Sequence, residues 1–158
     1  MPLRPVEPAD EPFVAYTQER EVAGPFNWFE GPGEERVATA AGRMVVTLDD
    51  GTPIGVVSWH GVVYGPNRRS VAWNVGITIV PGHRGRGHGA AAQRELVEHL
   101  FATTDVNRVE ATTDVGNVAE QRALERAGFR REGILRGAQY RDGRWHDVVL
   151  YARLRGDG

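Results

Sequence analysis

Between Arg84 and Gly89 the chain reads R-G-R-G-H-G, with three glycines alternating with Arg84, Arg86 and His88. Glycine has no Cβ, so its backbone N–H can close on a ligand and its φ can turn positive. From Ala90 onward Ala91, Leu96, Val97, Leu100 and Phe101 recur at helical spacing, which predicts a helix opening directly on that loop. First-turn N–H groups lack partners inside a helix, and the macrodipole favours an anion beside them. Loop, helix start and arginines together describe a site for a phosphate or pyrophosphate.

Two common phosphate motifs are tested by the rest of the chain. A Walker A loop needs G-x-x-x-x-G-K-[ST], and the chain has no lysine, so a P-loop nucleotidase is excluded. The dinucleotide fingerprint G-x-G-x-x-G/A does fit Gly85, Gly87 and Ala90, with Glu110 about twenty residues on. The order of elements decides that case.

Residues 71–80 are rich in β-branched side chains and predict a strand feeding the glycine loop, ended by Pro81 and Gly82. Before it, residues 3–6 read as a short strand interrupted by Pro5. Asp10 is a candidate N-cap, with Pro12 in the first turn, for a helix over residues 11–21 that Gly24-Pro25 stops. Phe26, Trp28 and Phe29 then precede the turn residues Gly31-Pro32-Gly33, and residues 34–41 suggest a second short helix. Residues 43–48 and 54–63 alternate as strands around a hairpin turn at Asp49-Asp50-Gly51-Thr52, and Gly65-Pro66-Asn67 marks the next turn. The three strands 43–48, 54–63 and 71–80 thus form an antiparallel meander.

After the loop's helix, residues 108–112 form a strand expected to run parallel to 71–80, because a helix crosses over between them. Residues 117–126 form a helix ended by Gly128, with Ala119, Ala123, Leu124 and Ala127 on one side. Residues 129–135 and 146–154 close the chain as strands, with a turn at Asp142-Gly143. A Rossmann domain instead opens on its glycine loop and repeats βαβ units on a parallel sheet. A meander ahead of the loop and a single further helix after it exclude that fold.

Composition narrows the function classes. The 158 residues are enough for one domain with a real core, with ordinary hydrophobic (41%) and charged (25%) fractions. A net charge of −2 argues against nucleic acid as the main partner. No apolar run approaches a membrane span, and the first ten residues lack a signal-peptide h-region, so the expected location is cytoplasmic. Without cysteine there is no disulfide, thiolate metal site or cysteine nucleophile. His83 and His88 lack the third histidine or carboxylate that zinc spacing requires, so no metal is expected.

Arg84-x-x-Gly87-x-Gly89, after a strand and opening a helix, resembles the acyl-coenzyme A motif of the GNAT N-acetyltransferases. The segment from Asn117 through Ala123-Leu124 to Gly128-Phe129 resembles that family's next signature, in the form of its RimJ/RimL branch, which acetylates protein N-termini. Glu132-Gly133, Leu135-Arg136 and Asp147 with Tyr151 resemble the same branch. The resemblance covers nearly all of the chain. It implies one α/β (α+β) GNAT-type domain over residues 1–158, a mixed and mostly antiparallel sheet with a splayed parallel strand pair and flanking helices.

The resemblance also implies acetyl-CoA as co-substrate and no metal. The pantetheine arm would lie in the splay against Ile77, Thr78, Ile79 and Val80. The pyrophosphate would sit on Arg84, Gly85, Arg86, Gly87, His88, Gly89 and Ala90, and Asn117, also a candidate N-cap, would bond the pantetheine amides. The chemistry implied is direct attack of a primary amine on the thioester, the amine being a protein or peptide N-terminus or a small amine such as an antibiotic or metabolite. The aromatic loop at residues 26–29 and the hairpin at residues 139–145 would border the acceptor site. The acidic residues Glu30, Glu34 and Glu35 would attract a cationic amine, or simply face solvent at a helix start. Dimers are common in the family, and a homodimer is among the expected assemblies.

The sequence departs from the family at its proton donor. Many members carry a tyrosine where this chain has Leu124, and the RimJ/RimL branch often carries a serine where it has Glu120. Glu120 is a replacement acid or a solvated helix-surface residue. Glu110 is the base candidate on the splayed strand, with His60 and, through water, Asn74 or Tyr140 beside it. The missing donor leaves open a coenzyme A-binding regulatory module without turnover. A pure interaction domain is the third reading, and coenzyme binding would exclude it. All nineteen basic residues are arginine, as a GC-rich genome produces; a lysine-free surface would also escape modification by an acyl donor.

Overall fold

Runs of β-branched residues separated by glycine turns build one sheet around which the helices are hung. The computed structural model describes residues 3–29 and 40–158. The turn at Gly31-Pro32-Gly33, nearly all of the helix expected over 34–41, and Glu30, Glu34 and Glu35 lie outside the described residues. The strands are β1 (Leu3–Pro5), β2 (Gly42–Thr47), β3 (Pro53–Val63), β4 (Val71–Ile79), β5 (Arg108–Asp114), β6 (Arg130–Arg141) and β7 (Arg144–Leu154). They lie in the order β1-β2-β3-β4-β5-β7-β6. Helices α1 (Glu11–Thr17), α2 (Arg20–Ala23), α3 (His88–Thr103) and α4 (Val118–Arg126) connect them.

The meander is as the turn signals predict: β1 to β4 pair antiparallel in sequence order. Among the described residues only β4 and β5 run parallel, and they pair only through Trp73 opposite Val109 and Asn74 opposite Glu110. Both strands continue well beyond that point. β3 keeps β4 in register as far as Ile79, and β7 keeps β5 in register as far as Asp114. Each half of the sheet therefore holds one lip of a V that opens after Asn74 and Glu110.

Helix α3 lies on the face carrying Val46, Val57, Val75 and Val109, and buries Leu96, Val97 and Leu100 to 1% exposure or less among them. Each such leucine contributes about 1.5–3 kcal/mol. Leu124 and Ala127 of α4, with Phe129 and Tyr151, continue the same core. The Tyr151 hydroxyl reaches Glu125 Oε1 at 2.9 Å.

The structure alters several expected elements. The single helix over 11–21 is two: Glu19 is extended (ψ 147) and the helix restarts at Arg20. Periodicity cannot show a two-residue break that leaves Val14 and Val22 both buried. Asp10 precedes α1 but makes no side-chain cap bond. Its carboxylate accepts from Arg4 Nη1 and Nη2 (2.7 and 2.8 Å) and from the Glu7 amide (2.8 Å), which holds its pKa down at about 2. Strand β6 runs on through the expected hairpin with register shifts between Arg131 and Gly133 and between Leu135 and Gln139. The turn at Asp142-Gly143 has both φ positive (54 and 75), as a two-residue hairpin loop requires.

Candidate active site

The V is a usable site because its β4 lip has unpaired backbone. The Val80 amide donates to Ile54 on β3 at 2.9 Å. Backbone groups alternate between the two edges of a strand, so the amides of Ile77 and Ile79 turn to the other edge, which β5 has left. A cavity of about 340 Å³ occupies this opening. Its walls are Ile77, Thr78 and Ile79 of β4, Arg84, Gly85 and Gly89 of the glycine loop, Asn117, Ala119 and Glu120 at the start of α4, and residues 23–27 after α2. Val80, Arg86, Gly87, His88 and Ala90 border the loop without lining this cavity.

The loop is shaped as its composition predicts. Gly85 and Gly87 have φ of 75 and 83, and a Cβ placed at residues 85, 87 or 89 would meet no atom within 4 Å. Gly87 caps α3 without a side chain, so no capping group takes the first-turn N–H groups. These backbone donors and the unpaired amides of the V fit the pyrophosphate and the amide-bearing arm of acetyl-CoA.

Arg84 is placed differently from a free phosphate ligand. Its Nε donates to the Ile79 carbonyl at 2.7 Å and its Nη2 to the Val22 carbonyl. Burial lowers its pKa. The side chain braces the loop against β4 and α2 although the residue is still exposed, as Arg86 is, and among the described residues no bond of Arg86 to another element is seen. The His83 and His88 rings lie 6.3 Å apart, and among the described residues His83 Nδ1 is buried without a partner. Among the described residues no group of three or more His, Cys, Asp or Glu could hold a metal.

Asn117 serves the helix cap and the cavity wall together. Its Oδ1 accepts from the Glu120 amide at 3.3 Å and its Nδ2 donates to Thr113 Oγ1 at 3.0 Å. Glu120, one turn in, is the one carboxyl lining the cavity among the described residues. Burial pushes its pKa up to about 7, against a smaller opposing effect of a hydrogen bond from the fully buried Gln93. Leu124, by contrast, is 0% exposed in the core.

The base candidates separate. His60, Asn74 and Glu110 are register partners in one row across three strands at the vertex of the V. Glu110 is 3% exposed, and its Oε2 accepts from Tyr64 Oη (2.6 Å) and Arg108 Nε (2.8 Å). Arg108 in turn grips Glu132 with Nη1 at 2.9 Å and Nη2 at 2.8 Å, and these hydrogen bonds raise its pKa. Both bonds to the Glu110 carboxylate oxygen tie it to the vertex rather than to the cavity. Tyr140 lies outside the cavity, its ring edge-on to Trp145 at 5.2 Å.

Sequence reasoning missed a buried ion pair behind the cavity. Arg141, 2% exposed, donates to Asp114 Oδ2 and, through Nη1, to the Pro25 carbonyl at 2.9 Å. His146 Nδ1 lies 3.4 Å from the same Asp114 oxygen. The pair fixes the cavity wall at Pro25 to the end of β5. Its sole trace in the sequence is an aspartate closing a strand, a weak signal.

The family model for the acetyltransferase (GNAT) domain matches residues 1–130. The protein of Bacillus subtilis (strain 168) named "Putative ribosomal N-acetyltransferase YdaF" is 34% identical over 108 residues, 68% of this chain and 57% of that protein. RimJ of Mycobacterium smegmatis, solved with CoA-disulfide, is 29% identical with a TM-score of 0.64 over 72% of this chain and 53% of its own. Spermidine N-acetyltransferase of Vibrio cholerae, solved with CoA and spermine, superposes with a TM-score of 0.81 over 99% of this chain and 96% of its own. At 23% identity that match shows the shared fold. The chain spans 57% and 61% of the length of the first two curated relatives it matches. With the family model covering most of its residues, the chain belongs to the GNAT acetyltransferase family.

Proposed function

We propose that this chain is an acetyl-CoA-dependent N-acetyltransferase acting on a primary amine. The observation that carries the reading is the V between β4 and β5, whose unpaired β4 amides and glycine-loop helix start meet in one cavity. Backbone donors at Ile77 and Ile79 suit the amide-bearing arm and the thioester oxygen, and the α3 N-terminus suits the pyrophosphate.

A neutral amine attacks the thioester carbonyl carbon; the C–N bond forms, the C–S bond breaks and the nitrogen sheds a proton to water. The thiolate takes a proton from the Glu120 carboxyl, which holds one near neutral pH because it is buried. Glu120 thus fills the role left vacant at Leu124. Glu110 is assigned to holding the vertex, and the amine's proton leaves through water beside Asn74 and His60. The acceptor is a protein N-terminus or a small amine, a reading supported by relatives and neighbours named as a putative ribosomal N-acetyltransferase and a spermidine N-acetyltransferase.

The test is thiol release from acetyl-CoA with a panel of amines, including peptides with a free N-terminal alanine or serine, and spermidine. Amine-dependent release, with a matching acetylated product by mass, supports the proposal. Tight coenzyme binding with no release above hydrolysis contradicts it and favours the module without turnover.

A further inference from the structure

Gln93, in the second turn of α3, is a polar side chain set in the core. It is 1% exposed, and Ala92, Leu96 and Val97 of the same helix are buried beside it. A buried amide costs free energy unless its hydrogens are used, and an apolar side chain of equal length would fill the space without that cost. Its Nε2 donates to the Gly89 carbonyl, one turn back, at 3.2 Å. That carbonyl already accepts the Gln93 backbone amide inside the helix, so the side-chain bond is not needed to close the turn. The amide also acts on the Glu120 carboxyl, whose ionised form it favours. Gly89 and Glu120 line one cavity from two different helices, and a single buried amide joins them.

We propose that Gln93 is a positioning residue for the proton transfer: its amide holds the Glu120 carboxyl in place against the glycine loop and steadies the carboxylate left when the proton has gone. In that step the Glu120 O–H bond breaks, an S–H bond forms on the leaving thiolate, and the negative charge passes from sulfur to the carboxylate. A hydrogen bond to an ionised carboxylate is stronger than one to its neutral form, so the amide helps most after transfer. No cation does this instead. Among the described residues Glu120 has no ion-pair partner. Arg84, the other ionisable side chain on the cavity wall, is held by the carbonyls of Ile79 and Val22. Arg94 of α3 reaches α4 at the Arg126 carbonyl, the far end of that helix. The inference rests on the role of acid given to Glu120.

The test uses Gln93→Met, which keeps the length of the side chain and removes the donor, with Glu120→Gln and the double variant. Carbon-13 NMR titration of the glutamate carboxyls in the free protein needs no turnover, and Glu120→Gln identifies the Glu120 signal. Its midpoint, about 7 in wild type, should move up by roughly half a pH unit or more in Gln93→Met. In steady-state kinetics the alkaline limb should move the same way. There kcat should fall about three- to tenfold while KM for acetyl-CoA stays unchanged, because the backbone bond still holds the α3 turn. In the Glu120→Gln background the same substitution should change kcat by less than about twofold.

A residue that only fills the core would leave the midpoint where it is and lower kcat equally in both backgrounds. Either result in a folded Gln93→Met overturns the inference. Gln93→Leu, also without a donor, repeats the titration if Gln93→Met has a lowered Tm. A shifted midpoint in a protein that acetylates no amine upholds the link between Gln93 and Glu120, and the acetyltransferase reading alone then fails.

Discussion

The Tyr64 hydroxyl donates to Glu110 Oε2 at 2.6 Å, across 46 residues of chain, at the point where β4 and β5 part. The Arg108 guanidinium carbon also lies 5.6 Å from the Tyr64 ring centre. Burial, followed by the bond to Glu110, raises the tyrosine's pKa, so the hydroxyl remains a donor through the physiological range. The vertex of the V is thus closed by a Tyr64–Glu110–Arg108–Glu132 chain rather than by further strand pairing.

Removing the Glu110 charge should therefore cost stability rather than chemistry. Glu110→Gln leaves the buried end of Arg108 half-paired, and loss of one partner in a buried pair costs about 3–5 kcal/mol, reduced here because Glu132 remains. Urea unfolding should show the loss, while kcat at a temperature where the variant is folded stays within a few-fold of wild type. A collapse of kcat with unchanged stability would return Glu110 to the role of base.

Glu120 should govern the pH profile. Its proton is present below about pH 7 and lost above, so the rate should fall on the alkaline side while the free-amine fraction of the acceptor makes it rise on the acid side. Glu120→Gln should lower kcat and abolish the alkaline fall. A raised carboxyl pKa also means that folding is favoured most at low pH and loses that advantage as pH rises from about 4.5 to 7. In the absence of coenzyme the glutamine variant should accordingly be more stable than wild type at pH 8, by on the order of 2 kcal/mol, and the gap should close toward pH 4.5.

Arg84 and Arg86 should separate in their effects. Arg84→Ala frees the carbonyls of Ile79 and Val22, each bond being worth about 1 kcal/mol at so exposed a residue, and should lower Tm as well as coenzyme affinity. Arg86→Ala should leave Tm unchanged and weaken the salt dependence of coenzyme binding. Identical Tm values for the two variants would contradict the brace assigned to Arg84.

Arg141→Ala should destabilise by about 3–5 kcal/mol, because it strands Asp114 beside His146. It also releases the Pro25 carbonyl, so KM for acetyl-CoA should rise even where the protein is folded. Tm and KM, measured together, check both halves.

Much of this was legible in the chain because it is local. The Gly85 and Gly87 loop, the Asn117 cap, the Gly128 helix stop and the Asp142-Gly143 turn are each set by the φ or the side-chain bond that those residues favour, and the structure has all four. The fate of the charged side chains was not legible. Arg84 and Arg86 look alike in sequence and are both exposed, yet Arg84 bonds carbonyls from two other elements. Glu110 and Glu120 both read as candidate acids or bases, and only tertiary packing puts Arg108 and Tyr64 around the first and an apolar cavity wall around the second. Burial of a carboxyl depends on the fold's third dimension, which spacing along the chain does not encode.

The central claim is that the V and its glycine loop hold acetyl-CoA. The most direct measurement is calorimetric titration of acetyl-CoA into wild type and Gly87→Asp, with the fold of the variant checked by its Tm. The account predicts micromolar binding to wild type, on the order of −8 kcal/mol, and at least tenfold weaker binding to the variant, whose carboxylate would stand at the α3 N-terminus. No binding to wild type, or equal binding to a folded Gly87→Asp, would contradict it.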